Sequence, residues 1–171
     1  MEPLDAAWLA GFWDGEGTIS LYRSRWKWKP DGPNTRRLPN HQREPERYRP
    51  LLALSHTDMP TCAHVDQLLM QIGAKHYSLA DPRVVQPTRM GRRPQRHISV
   101  MSFVGARVVL EVLMPYLVTK KPQAEALWRF IEIAQSRDSH LHYTDEQREI
   151  ARFLRTHPMH GNPQPSQAGA A

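Results

Sequence analysis

Leu9-Ala10-Gly11-Phe12-Trp13-Asp14-Gly15-Glu16-Gly17 runs straight into Thr18-Ile19-Ser20-Leu21-Tyr22, and the change of period between the two decides the fold. Up to Glu16 the chain reads as a helix starting at Asp5, with Asp5 as N-cap and Gly17 just past the end. From Thr18 the period becomes two: Ile19 and Leu21 alternate with Ser20, Tyr22 and Ser24, which predicts a strand with one apolar and one polar face. Within the helix, Ala7, Gly11 and Gly15 recur at every fourth position and form one stripe. Glycine costs about 1 kcal/mol in a helix interior, so two within five positions point to a second helix whose backbone comes close. Asp14 and Glu16 lie in the last turn, where carboxylates oppose the helix dipole. Solvent, an arginine or a bound cation could each offset that; of cations, Mg2+ suits carboxylate oxygens.

Outward from this hairpin of helix and strand, the Pro- and Asn-rich stretch 30–45 reads as a loop, and 46–57 as the returning strand. Residues 60–72 form an amphipathic helix through Val65, Leu68, Leu69 and Ile72, stopped by Gly73. A second pair of strands follows at 75–80 and 95–102, joined by a Pro- and Arg-rich loop at 81–94. Helices are predicted at 104–114, 121–136 and 144–156, the last opened by a capping box of Thr144 and Gln147. The result is an α+β domain over residues 1–157: a four-stranded antiparallel sheet with helices on one face. The segment 158–171 is small, polar and Pro-containing, the composition of a disordered tail.

Alternation divides the sheet residues. Ile19, Leu21, Leu52, Leu54, Tyr77, Leu79, Ile98 and Val100 are expected under the helices. The open face is expected to carry Ser20, Tyr22, Ser24, Trp26, Trp28 and Lys29 from the first strand, and Arg47, Arg49, Leu51 and Ser55 from the second. His76, Ser78, His97 and Ser99 complete it from the last two strands. Hydroxyls, arginines, imidazoles and aromatics are the groups that contact phosphates and base edges.

Charge agrees with that face. The 171 residues include 23 Lys and Arg against 17 acids, a net charge of +6. The basic residues concentrate in 20–50 and in 83–96, which favours a polyanionic partner. No apolar run approaches the length of a membrane span, and no secretion leader opens the sequence. The single Cys62 excludes an internal disulfide and a cysteine-based zinc site, which fits a reducing, intracellular compartment: cytoplasm or nucleoid in a prokaryote, or an organelle. The histidines at 140, 142, 157 and 160 lack acidic or cysteine partners at ligand spacing and read as surface residues.

The nonapeptide Leu9–Gly17 resembles the signature of the LAGLIDADG homing endonucleases. Trp13 and Gly15 stand in place of a commoner aliphatic residue and alanine, and Glu16 in place of the final Asp. The order helix–strand–strand–helix–strand–strand–helix agrees, and the resemblance covers residues 5 to about 155. A single copy of the motif implies the homodimeric class, paired through the motif helix at Ala7, Gly11 and Gly15. The resemblance further implies a metal-dependent endonuclease for long, roughly palindromic double-stranded DNA sites, with the role of intron homing. Glu16 and the Gly15 carbonyl would hold Mg2+, with Mn2+ or Ca2+ able to substitute for binding. Asp58, closing the second strand, would position the attacking water. Lys120, after Pro115-Tyr116-Leu117, would activate water or stabilise phosphate charge, with Lys121 as its rival and Gln123 assisting. A strand of about 12 residues at roughly 3.3 Å each reaches about 40 Å, enough for ten to twelve base pairs per half-site. A non-cleaving DNA-binding regulator and an RNA-binding intron maturase are the alternatives from another class.

Overall fold

The structure is a computed structural model and describes residues 1–25, 46–80, 95–136 and 143–156. Its elements are α1 (Pro3–Glu16), β1 (Gly17–Arg25), β2 (Glu46–His56), α2 (Met59–Gln71), β3 (Tyr77–Ala80), β4 (Arg96–Val100), α3 (Phe103–Leu113), α4 (Lys121–Gln135) and α5 (Asp145–Thr156). The strands form one antiparallel sheet in the order β1-β2-β4-β3. Trp26, Trp28, Lys29, the loops expected at 30–45 and 81–94, and the tail 158–171 lie outside the described residues.

The junction of α1 and β1 is set by a close approach. Gly17 pairs with Leu54, and a Cβ on Gly17 would stand 2.3 Å from the indole Cδ1 of Trp13. Only glycine lets the fully buried indole fold back over the strand, where its Nε1–H donates to the Thr18 carbonyl at 3.3 Å. α1 begins two residues earlier than expected, and Asp5 lies inside its first turn instead of capping it. Pro3 opens the helix because it has no N–H to satisfy and its φ is already helical.

Ile19, Leu21, Leu52, Leu54, Ile98 and Val100 pack into one core with Leu9 and Trp13 of α1, Val65, Leu68 and Leu69 of α2, Leu110 of α3, and Leu127 and Phe130 of α4. Gly73 ends α2 at φ +72°, a left-handed position that glycine adopts without a Cβ penalty. Thr144 and Gln147 cap α5 reciprocally: each backbone N–H donates to the other's side chain at 3.1 Å.

β3 departs from the expected phase. Tyr77, expected in the core, pairs with Ser99 and is 65% exposed, while Ser78 pairs with the buried Ile98. A shift of one residue exchanges the two faces of a strand, and here a polar network compensates on the helix side. Asp66 of α2 accepts from Ser78 Oγ at 2.9 Å and pairs with Arg96 at 2.8 Å and His76 Nε2 at 3.1 Å. Arg96 Nε also donates to Ser78 Oγ at 2.6 Å. His76 and Ser78 therefore face α2 and not the open surface.

Candidate functional site

The two acids of the motif helix have separate fates. Asp14 turns back: its carboxylate accepts the backbone N–H groups of Val118 at 2.7 Å, Thr119 at 3.2 Å and Lys120 at 2.8 Å. Lys120 answers, its ammonium donating to the carbonyls of Trp13 (3.0 Å) and Asp14. The carboxylate serves the N–H groups ahead of α4, and the ammonium adds a donor to the carbonyls ending α1, where Trp13 O also accepts the Gly17 N–H. Together they form a reciprocal clamp over 106 residues of sequence. The cation offsetting the α1 dipole is this lysine. Burial pushes the Lys120 ammonium below the ordinary lysine range, and Asp14 and Glu16 pull it part of the way back.

Glu16 is left over. It is exposed, and among the described residues it makes no hydrogen bond or ion pair. Asp58 is committed elsewhere, as N-cap of α2: its Oδ2 accepts from Thr61 N at 2.9 Å and Thr61 Oγ1 at 2.6 Å. These Thr61 hydrogen bonds hold the Asp58 carboxyl below the usual carboxylate range. Its expected place at the end of β2 is met, but the local geometry is that of a helix cap. The Glu16 carboxylate and the Gly15 carbonyl are hard oxygen donors of the kind Mg2+ takes. Among the described residues no three His, Cys, Asp or Glu side chains cluster.

The open sheet face is built by register. Tyr22 lies opposite Arg49, Ser24 opposite Arg47, Ser20 opposite Leu51, and Ser55 opposite His97. Tyr22, Arg47, Arg49, Ser55 and His97 are exposed, and Leu51 and Ser24 half-buried. Ser24 Oγ reaches the Arg47 carbonyl at 3.5 Å. Two members of the expected set are withdrawn. Ser20 is buried, donating at 3.1 Å to the Leu154 carbonyl of α5, which packs against edge strand β1. Ser99 is 6% exposed, enclosed by its neighbours in the middle of the sheet. With Ser78 turned to α2, three of the expected hydroxyls are not presented. Sequence spacing carried no signal for Ser20 and Ser78, because contacts with α5 and α2 decided them.

α1 has a second face. Leu4 is 83% exposed and Trp8 40%, with Gly11 and Gly15 beside them also exposed and Ala7 half-buried. A Cβ on Gly11 or Gly15 would meet nothing within 4 Å. Trp8 stacks on Phe12 with ring centres 5.4 Å apart, and His64 of α2 stands edge-on to Trp8 at 4.7 Å. No helix of the described residues is long and apolar enough to cross a membrane.

No family model matches the sequence, and no curated protein does. Solved structures do. The chain superposes on the archaeal intron-encoded homing endonuclease I-Vdi141I, complexed with DNA, with a TM-score of 0.61 at 14% identity, covering 95% of this chain and 89% of that one. On the DNA-bound meganuclease I-SmaMI the TM-score is 0.62 at 16% identity, covering 92% of this chain and 45% of the other. On the LAGLIDADG homing endonuclease I-GzeII, in complex with its DNA target, it is 0.55 at 16% identity, covering 87% and 42%.

Proposed function

For a chain that has the fold of the LAGLIDADG homing endonucleases, we propose the function of a DNA-binding endonuclease. In this reading two identical chains pair through α1, bind a long, roughly two-fold-symmetric duplex on their open sheet faces, and hydrolyse one phosphodiester bond in each strand with divalent metal. One observation carries it: Glu16 is an exposed carboxylate that makes no hydrogen bond or ion pair among the described residues, at the end of a helix whose other terminal groups are taken by the Asp14–Lys120 clamp.

Pairing supplies what one chain lacks. A two-fold axis along the α1 stripe brings two Glu16 carboxylates together, and the open space over Gly11 and Gly15 leaves room for the partner helix. The chain spans 45% of I-SmaMI, which is also consistent with one unit of a two-unit assembly. Bound Mg2+ would activate water and stabilise the attacking and leaving oxygens. Glu16 and the Gly15 carbonyl would hold it, Lys120 would keep positive charge beside the phosphate, and Asp58 would act chiefly through the conformation of the β2–α2 corner. The exposed arginines 47 and 49 and Tyr22 would hold the duplex backbone and base edges.

A cleavage selection on randomised duplexes with Mg2+, run for wild type and Glu16→Gln, tests this. The expected result is cut products enriched for one long symmetric site with wild type, and selected binding without cuts with Glu16→Gln. Equal cutting by the variant would overturn the assignment of Glu16. The committed geometry of Asp58 and Lys120 favours one second reading, a DNA-binding regulator that does not cut; wild-type binding without cleavage would establish it.

A further inference from the structure

Ser55 and His97 stand directly opposite each other on β2 and β4, and Ser55 Oγ lies 2.8 Å from His97 Nδ1. Both are exposed on the open face, unlike Ser20, Ser78 and Ser99. The pair also has a defined place along the sheet. Gly17 pairs with Leu54, so Ser55 lies one residue beyond that pair, at the end of the β1–β2 ladder where α1 runs into β1.

We infer that Ser55 and His97 form one base-reading unit, specific for guanine in the base pairs nearest the cleavage position. The inference rests on the proposed binding of duplex DNA by the open sheet face. The inferred unit is the arrangement in which the serine hydroxyl donates to Nδ1 across that 2.8 Å contact and the imidazole carries its proton on Nε2, the ring nitrogen away from Ser55. The unit therefore presents a donor whose ring orientation is fixed by the neighbouring strand. In the major groove guanine offers two acceptors side by side, N7 and O6. Adenine sets its N6 amino donor beside N7, so a ring N–H there meets a like group. Thymine offers one acceptor behind a methyl group, and cytosine a donor.

The test takes the duplex selected by wild type, with every position varied through all four bases, and compares binding profiles of wild type, Ser55→Ala, His97→Ala and His97→Gln. Wild type should prefer guanine at one symmetric position per half-site, close to the cut. His97→Ala should lower that preference roughly tenfold and leave other positions unchanged. Ser55→Ala should weaken it less, because the ring remains but its orientation is freed. His97→Gln should move the preference toward adenine, whose N6 and N7 a glutamine amide pairs with. That gain is one which misfolding cannot imitate. An unchanged profile in His97→Ala and His97→Gln, or lost cutting with an unchanged profile, would overturn the inference alone. A wild type that selects no duplex at all would overturn the proposed function, and this inference with it.

Discussion

At the scale of single residues, the motif is a set of contacts with different purposes. Gly17 is required by the Trp13 indole, whose Cδ1 would lie 2.3 Å from an added Cβ. Gly17→Ala should therefore displace the ring or the strand and cost about 1–3 kcal/mol, read as a lowered midpoint in denaturant. Asp14 serves three backbone N–H groups at once. Asp14→Ala should cost about 1–3 kcal/mol and loosen Lys120, whereas Glu16→Gln should change stability far less, since Glu16 acts on Lys120 only through its charge and makes no hydrogen bond among the described residues. Equal destabilisation by the two variants would contradict this division. Spacing alone leaves the two acids nearly equivalent, two positions apart on one helical turn; the resemblance of the motif assigns metal to Glu16 and leaves Asp14 a helix-end or structural acid. What the structure adds is Asp14's partners, a turn at 118–120 that comes more than a hundred residues later.

At the scale of elements, two features can be tested apart from activity. α2 begins at an Asp58 cap whose carboxyl is held below its ordinary value by Thr61. A carboxyl with a depressed folded value contributes its stability above its unfolded value, and loses it as pH falls through the folded one. Wild type should thus lose stability on acidification below about pH 4 by an increment that Asp58→Asn lacks, measured by denaturant titration across pH. β3 is held through Asp66, whose side chain is 14% exposed. Asp66→Ala leaves Arg96 and Ser78 without their acceptor. It should cost about 2–3 kcal/mol, less than loss of a fully buried pair because Arg96 is partly solvated.

At the scale of the whole molecule, the proposed pairing and the proposed DNA binding are each open to test. Gly11 and Gly15 meet nothing in the monomer, so Gly11→Leu should keep the fold and gain up to about 1 kcal/mol of helix propensity. The same change should block pairing, seen as a monomer in sedimentation and as lost cutting. A Gly11→Leu dimer that cuts normally would remove α1 from the interface. If the chain binds duplex DNA as proposed, with its net charge of +6, affinity should fall with salt by a slope of about 0.9 per phosphate contacted in log–log form. Arg49→Ala should make that slope shallower by about one contact.

The sequence by itself determined the element order, the core positions of β1, β2 and β4, the Thr144–Gln147 capping box and the resemblance of the motif helix. All of these rest on short-range periodicity or on residues a few positions apart, where local physics dominates. Tertiary structure alone decided the phase of β3, since a four-residue edge strand has too few alternations to declare a face and Asp66 reached it from α2. It also decided that Ser20 points at α5, that Lys120 closes the end of α1, and that Asp14 is occupied while Glu16 is not. Each of those outcomes depends on which groups meet across long separations in sequence, and hydrogen-bonding groups of the same kind are told apart only by the partner that reaches them first.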